Sequence, residues 1–384
     1  MSELNCRHFT GYKPCGLSEN CTPQCSQRSL VKTRILVVHL EALGAVLRTT
    51  SILPAIVRKY PGAHITWVTQ KPADQLLKNN PLIDRILTTE RDDLLTLGAL
   101  SFDVAFCVDK SLKASGVLKL TTSKQVFGFV VNKNGVIVPA NIQAEELWQL
   151  GLSNHKKFFV NKKPETQLLV EAFNLGPFQR DPYVLGLDEN EQQHVRHRRL
   201  EWSSNSEVIV GINTGCSPTI PYKKFTVEFH RHLISRMLDF PKIKIVLLGG
   251  PEDTERNSQI AYKLPVVNSL TTRGLRDGLC SVAACDLIIT GDSLGMHMGI
   301  ALKKWVVAWF GPTCAHEIDF YQRGEAILTR SSCSPCWRRS CHKNPMCYDL
   351  VAIDDLMQAV AKGINCLTSS SKPLLSGTSF LASP

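Results

Sequence analysis

The sequence contains no long hydrophobic run and no recognisable leader. No stretch of it approaches the ~20 consecutive apolar residues that a membrane-spanning helix requires. Residues 1–30 carry cysteines and polar side chains where a secretory signal would have a charged start and an apolar core. We therefore expect a cytoplasmic protein.

A continuous basic stripe is also missing. The formal net charge is +10, but the basic clusters are dispersed, at 196–199, 223–224, 303–304 and 338–339. A nucleic-acid groove needs clustered Lys and Arg interleaved with aromatic side chains, so we expect no nucleic-acid partner. An anionic small molecule, or peripheral contact with the anionic face of the inner membrane, suits this pattern better. With 43% apolar and 20% charged residues, the 384 residues suffice for two folded domains.

Fourteen cysteines are many for a chain expected in a reducing compartment. Eight form two clusters, Cys6, Cys15, Cys21 and Cys25 near the start and Cys333, Cys336, Cys341 and Cys347 near the end. The second cluster has the spacing C-x2-C-x4-C-x5-C, whose short loops let four thiolates converge on one ion. It predicts a structural zinc or iron site, and the looser first cluster is the candidate for a second one.

Other arrangements of these cysteines stay open. Disulfides are the competing arrangement, which a reducing compartment disfavours. The two clusters could also share one site or pair across the molecule. The remaining six are expected to be small, buried, apolar side chains: Cys107, Cys216, Cys280, Cys285, Cys314 and Cys366.

Short β-branched runs alternate with helical patterns in two successive series. The predicted strands are 34–38, 64–69, 84–87 and 104–108, then 208–212, 244–248, 287–290 and 305–309. Such alternation predicts an α/β fold with a mostly parallel sheet in each half, joined by a polar linker near 185–206. We expect a Cys-rich segment at 1–30, domains at 31–187 and 206–350, a packed helix at 351–367 and a disordered tail at 368–384.

Three predicted strands of the second half end in groups suited to a nucleotide. Thr214 and Gly215 can turn amides and a hydroxyl toward phosphate, and Lys223 can counter its charge. Glu252 and Asp253 follow the next strand and can bind ribose hydroxyls. A third strand end supplies an acid, a hydroxyl and an imidazole: Asp292, Ser293 and His297. Three such sets at one sheet edge predict a ligand site, although each alone is also explained by ordinary turn and cap chemistry.

These motifs, in this order, resemble the ADP-heptose:lipopolysaccharide heptosyltransferases of glycosyltransferase family 9. The residues that carry the resemblance are Ile35–Val38, Leu43-Gly44, Leu47–Thr50, Leu248–Pro251, Asp292-Ser293, Met296-His297 and Phe310–Thr313. The resemblance implies a GT-B architecture, in which two Rossmann-like domains face each other across a cleft. It implies inverting transfer of a heptose-like sugar from a nucleotide-linked donor such as ADP-heptose, without a catalytic metal, to a lipopolysaccharide core or another cell-surface glycan.

The resemblance also implies roles for individual residues. Lys223 corresponds to the phosphate-side lysine, and the loop Asp292-Ser293-Leu294-Gly295, with His297, corresponds to the loop that holds the sugar and diphosphate. Gly44, Ala45 and Arg48 fall on the acceptor side.

Two positions depart from the family pattern. Ala45 stands where the family has the aspartate expected to be the general base, and Leu294 stands where many members have glycine. Because alanine cannot accept a proton, Glu41 on the same loop is predicted to be the base, with His39 as second choice. A surface glutamate without a catalytic role is the competing interpretation of Glu41.

Other functions stay open at this stage. The loss of the aspartate also fits a catalytically impaired scaffold that binds nucleotide sugar. The C-terminal cysteines resemble a motif of the autotransporter-modifying branch, which implies a protein O-heptosyltransferase. An epimerase or another GT-B-like enzyme is a third possibility, but no residue in the sequence points specifically to it.

Overall fold

The computed structural model describes residues 5–9, 11–203 and 207–369. Its strands, in chain order, are β1 Thr33–Val38, β2 Ala63–Thr69, β3 Arg85–Thr88, β4 Ser101–Cys107, β5 Thr122–Val131, β6 Ile137–Pro139, β7 Val208–Asn213, β8 Ile243–Leu248, β9 Val267–Asn268, β10 Leu287–Gly291, β11 Trp305–Phe310 and β12 Gly324–Leu328. All eight strands predicted from the sequence are present, with ends shifted by at most three residues.

The helices lie between these strands. In chain order they are α1 Leu43–Thr49, α2 Leu53–Lys59, α3 Asp74–Leu77, α4 Arg91–Gly98, α5 Leu112–Lys119, α6 Glu145–Leu152, α7 Glu165–Ala172, α8 Glu189–Trp202, α9 Val227–Met237, α10 Thr254–Ala261, α11 Leu275–Ala284, α12 Leu294–Ala301 and α13 Ile353–Ser369. A short π-helical turn spans Lys156–Val160.

Each half of the chain builds one six-stranded sheet. The strand orders are β3-β2-β1-β4-β5-β6 and β12-β11-β10-β7-β8-β9. The first strand of each half therefore lies in the middle of its sheet, and the chain adds strands first on one side of it and then on the other. All pairings are parallel except that of β5 with β6. This is the strand order of a Rossmann fold, in which ligands bind at the carboxyl ends of the strands near the reversal.

An apolar interface joins the two halves. Leu47 of α1 and Leu76 of α3 pack in one buried cluster with Leu279 of α11 and Met296 of α12. Beside it, Arg276 of α11 donates to the carbonyl oxygens of Gln75 at 3.1 Å and Gly186 at 2.8 Å. The strand ends of both sheets are thereby held on opposite walls of one cleft.

The structure corrects the expected linker. Residues 189–202 form α8 instead of a loop, with Asp188 and Glu191 in a capping box at its start. The helix lies against α11 through Arg198, which donates to the Asp277 carbonyl at 2.7 Å and the Ser281 hydroxyl at 2.9 Å. Its charged residues therefore attach it to the second domain.

The C-terminal helix α13 crosses the second sheet and packs on β11 and β12. The expected disordered tail falls on residues 368–384, of which only 368 and 369 lie within the described part of the chain. No helix among the described residues has the length and apolar character needed to span a bilayer.

Candidate functional site

A cleft of about 890 Å³ lies between the two sheets. Its first wall comes from the loops after β1 and β2, and its second wall from the loops after β7, β8, β9 and β10. All of these loops follow the carboxyl ends of parallel strands. Almost all of the predicted donor and acceptor residues line this one cleft.

The start of α12 forms the floor of the second wall. Leu294 and Gly295 both line the cleft, and Ser293 precedes the helix without capping it. The Ser293 hydroxyl instead accepts from Asn213 Nδ2 at 3.0 Å, which binds the loop after β10 to the end of β7. A Cβ on Gly295 would lie 2.7 Å from Asn213 Cγ, so this close approach requires glycine. Backbone amides at a helix start favour an anion, such as diphosphate, at this position.

Lys223 and Asp292 lie beside the helix start. The Lys223 Nζ is 3.8 Å from Asp292 Oδ2, and both side chains are largely shielded from solvent while still lining the cleft. A Cβ on Gly291 would lie 2.0 Å from the Lys223 carbonyl oxygen, so glycine lets the loop carrying Lys223 approach β10. The cleft therefore presents one cation and one anion at the end of this strand.

His297 lies at the contact between the two domains. Its ring is buried, stacks on Tyr183 and has Nδ1 3.5 Å from the Tyr183 hydroxyl. Burial, followed by the charge of Arg48, lowers the pKa of His297 to about 3, so the ring is neutral at neutral pH. A Cβ on Gly44 would lie 2.4 Å from His297 Cδ2, which explains the glycine in the facing loop.

The structure corrects one donor-side expectation. The Thr214 hydroxyl turns into the protein, where it bonds to Asn257 Oδ1, and the fully buried residue does not line the cleft. Asp253 lines the cleft as expected but is largely buried; it accepts from the Gly250 amide at 3.0 Å, and burial raises its pKa. Gly215 and Glu252 also line the cleft, and Glu252 is the more exposed of the two carboxylates.

The first wall carries the acceptor-side residues. Gly44, Ala45 and Arg48 lie in α1 and line the cleft. Glu41 reaches the same cleft from its rim, where its side chain is 58% exposed and pairs with Lys113 at 3.2 Å. His39, the second choice for the base, is buried 3.5 Å from Asp109 and does not line the cleft, and burial lowers its pKa to about 3.

Sequence analysis missed three charged residues that line the cleft near Arg48, namely Lys157, Glu165 and Glu317. Glu165, the first residue of α7, pairs with Arg48 at 2.6 Å. Glu317 enters from the second domain and pairs with Lys157 at 3.2 Å. None of these three follows a strand directly or belongs to a recognisable motif, so no local pattern in the sequence identifies them.

The two carboxylates have different electrostatic environments. Although burial alone would raise it, the pKa of Glu165 is lowered by Arg48, followed by Lys110 and Lys157. Burial and the neighbouring charge of Glu165 raise the pKa of Glu317. The pair therefore favours an ionised Glu165 and a more readily protonated Glu317.

Comparison with known proteins decides the family. The family model described as glycosyltransferase family 9 (heptosyltransferase) matches residues 95–347, well over half of the chain. The protein belongs to glycosyltransferase family 9. It is therefore a glycosyltransferase.

Relatives of this family 9 member align with most of its length. It is 21% identical over 344 residues to lipopolysaccharide heptosyltransferase 1 of Campylobacter coli, a match that covers 85% of this chain and 98% of that protein. The family 9 glycosyltransferase of Veillonella parvula has a TM-score of 0.65 at 18% identity, covering 88% of this chain and 98% of that one.

Two further structures share the architecture. E. coli heptosyltransferase WaaC with ADP has a TM-score of 0.58 at 16% identity, covering 86% of this chain and 98% of that one. The iron-containing dodecameric glycosyltransferase TibC of enterotoxigenic E. coli has a TM-score of 0.50 at 12% identity, covering 88% and 77%. Together with the two sheets, these likenesses confirm the predicted GT-B fold.

The C-terminal cysteines of this family 9 glycosyltransferase lie in a loop beside the cleft. Ser334 donates to the Gly311 carbonyl, and the Cys336 and Trp337 amides donate to the Pro312 carbonyl at 3.1 and 2.8 Å. Trp337 thereby reaches the cleft, with Lys157 Nζ 4.6 Å from its ring centre. The loop thus supplies a side chain to the site.

The four thiols of this loop are neighbours. Burial, followed by the charges of Cys336, Cys341 and Cys333, raises the pKa of Cys347 to about 11. Four thiolates suit zinc or iron by their donor chemistry. Among the residues described, however, no three His, Cys, Asp or Glu side chains are arranged as ligands of a common ion, so the metal stays a prediction for both clusters.

Most of the isolated cysteines are buried as expected. Cys366 is exposed on α13, which corrects the expectation for that residue, because it lies on the outer face of the helix. Cys314 is buried but lines the cleft, with its Sγ 3.4 Å from His316 Nε2.

Proposed function

We propose that this glycosyltransferase moves a heptose-like sugar from ADP-heptose to a lipopolysaccharide core or another cell-surface glycan, with inversion. The observation that carries the proposal is the convergence of Lys223, Asp292 and the start of α12 on the second wall, opposite Arg48 on the first. The presence of ADP in the WaaC structure supports adenine as the donor base.

In this proposal the second wall holds the donor. Lys223 and the amides at the start of α12 stabilise the diphosphate, whose negative charge grows as it leaves the sugar. Glu252 accepts hydrogen bonds from ribose, and Leu294 and neutral His297 bound the pocket for the transferred sugar. Gly44, Ala45 and Arg48 line the path by which the acceptor hydroxyl approaches.

Two further functions belong to the same proposal as alternatives to be tested. Ala45 favours a scaffold that binds donor without turnover, because the wall carries a methyl group where the family has a carboxylate. The neighbouring thiols of the Cys333–Cys347 loop favour a protein acceptor, since the resemblance that implied protein heptosylation rests on such a cluster.

Full-length protein incubated with ADP-heptose and a heptose-free lipopolysaccharide core should release ADP and increase the acceptor mass by one heptose. UDP-glucose and GDP-mannose serve as donor controls. Thermal stabilisation by ADP-heptose without ADP release would support the scaffold, and transfer only to a protein acceptor would support protein heptosylation.

We also propose that the first domain contacts an anionic membrane peripherally. Around the π-helical turn, Leu152, Phe159 and Val160 are 67%, 56% and 59% exposed. Lys156 and Lys162 are exposed beside them. Lys157 of the same turn lines the cleft, so this surface adjoins the acceptor path. Exposed apolar side chains flanked by lysines suit insertion among anionic headgroups.

A further inference from the structure

Arg48 shows where a catalytic carboxylate of the first wall would be held. Ala45 and Arg48 are three residues apart in α1, so their side chains lie on the same face of the helix. An aspartate at position 45 would therefore lie beside the Arg48 guanidinium. In this chain Arg48 Nη2 instead contacts a glutamate from another helix, Glu165 Oε2, at 2.6 Å.

Helix packing brings this glutamate to the site. The helix α7 packs against α1, and Glu165 is its first residue, directly after Pro164. The Glu165 side chain lines the cleft together with Ala45 and Arg48. Its charge acts on both Arg48 of the first domain and His297 of the second.

The other carboxylates near the first wall are less suitable. Glu41 is largely exposed at the rim and pairs with Lys113, another exposed side chain. Asp109 accepts from the Leu40 amide and does not line the cleft. Glu317 belongs to the donor domain and is held by Lys157 at 3.2 Å.

We propose that Glu165 is the general base that Ala45 cannot be. The proposal rests on the proposed function. The acceptor hydroxyl oxygen forms a bond to the anomeric carbon as its proton moves to a Glu165 oxygen. The bond between the anomeric carbon and the diphosphate oxygen breaks, and its electron pair leaves with ADP. The neighbouring cations keep the Glu165 carboxylate ionised at neutral pH, ready to accept the proton.

Glu165→Gln removes the base and keeps the size of the side chain. We expect kcat to fall by about 10²–10⁴-fold, with the Kd for ADP-heptose unchanged. Glu171→Gln is the matched control, because Glu171 lies on the same helix and pairs with Lys163 at 2.8 Å without lining the cleft. Equal circular dichroism and melting temperatures of these proteins would show that folding is intact.

A double variant separates catalysis from a structural role of the ion pair. Ala45→Asp/Glu165→Gln places a carboxylate one helical turn from Arg48. We expect the kcat of this double variant to be at least tenfold higher than that of Glu165→Gln. Its acid limb in the pH profile of kcat should differ from that of the wild type, because a different carboxylate titrates. A purely structural ion pair would move the melting temperature without moving that limb.

Four results would overturn the assignment. Glu165→Gln with kcat within threefold of the wild type would contradict it alone, as would no recovery in a correctly folded double variant. Glu41→Gln with a 100-fold loss, while Glu165→Gln stays active, would return the role to Glu41. A wild type that binds ADP-heptose but never releases ADP would contradict the proposed function itself, and the assignment with it.

Discussion

Lys223 tests the donor site at the level of one side chain. Lys223→Ala removes a cation from the wall that carries Asp292 and the start of α12. A charge-assisted hydrogen bond to phosphate is worth about 1.5–3 kcal/mol, so the Kd for ADP should rise about 10-fold to 150-fold. Isothermal titration calorimetry measures this directly, with the exposed Lys263→Ala of the same domain as control. An unchanged Kd would remove Lys223 from the donor site.

Histidine burial makes stability depend on pH. His39, His230 and His297 each have a pKa lowered to about 3, in every case mainly by burial. Below pH 6.5 the unfolded chain binds protons at these rings and the folded chain does not, so stability falls as pH falls. At pH 5.5 each ring lowers the free energy of unfolding by about 1.4 kcal/mol relative to its value at high pH. Asp109, whose pKa burial raises to about 6, opposes part of this loss.

His230 allows this effect to be isolated. His230 is buried in α9, and His232, two residues later, is exposed. In urea unfolding at pH 7.5 and 5.5, His230→Gln should lose about 1.4 kcal/mol less stability on acidification than the wild type. His232→Gln should behave as the wild type does. Identical pH dependence in all three proteins would contradict a neutral, buried His230.

Secondary-structure elements show what the sequence could predict. The strands and the residues after them follow from local β-branched runs, so Asp292 and Lys223 could be assigned before the fold was known. The charged residues of α8 masked a helix, which begins with a capping box and packs on α11. Glu165 could not be predicted, since it is 117 positions after Arg48 in the sequence and reaches it only through the packing of α7 on α1. The inward turn of Thr214 likewise depends on Asn257 of α10.

The predicted metal site of the Cys333–Cys347 loop can be tested at the scale of this one element. If it binds one zinc or iron ion, purified protein should contain one such ion per chain in that loop. Cys336→Ser should lose that ion and melt at a lower temperature, while Cys366→Ser, at an exposed position, should keep both properties. Elemental analysis and calorimetry measure the two quantities. Protein without stoichiometric metal, with Cys336→Ser melting like the wild type, would rule the metal site out.

At the scale of the whole molecule, the two sheets place the two walls of the cleft face to face, and the exposed turn of the first domain lies beside the first wall. A glycolipid acceptor would have to enter the cleft from a membrane surface. Because the exposed lysines and apolar side chains adjoin Lys157, membrane contact at this turn would bring the acceptor to the side of the cleft that holds Arg48.

The double variant Lys156→Glu/Phe159→Ser tests this contact. Attraction of a basic residue to an anionic surface is worth about 1 kcal/mol, so reversing one charge and removing one aromatic ring should weaken vesicle binding at least fivefold. Sedimentation with phosphatidylglycerol vesicles measures the binding, and phosphatidylcholine vesicles show its dependence on charge. Lys242→Glu/Leu238→Ser reverses one charge and removes one apolar side chain at exposed positions of the second domain, and it should leave binding unaltered. Equal binding by both variants and the wild type would exclude the turn as the membrane contact.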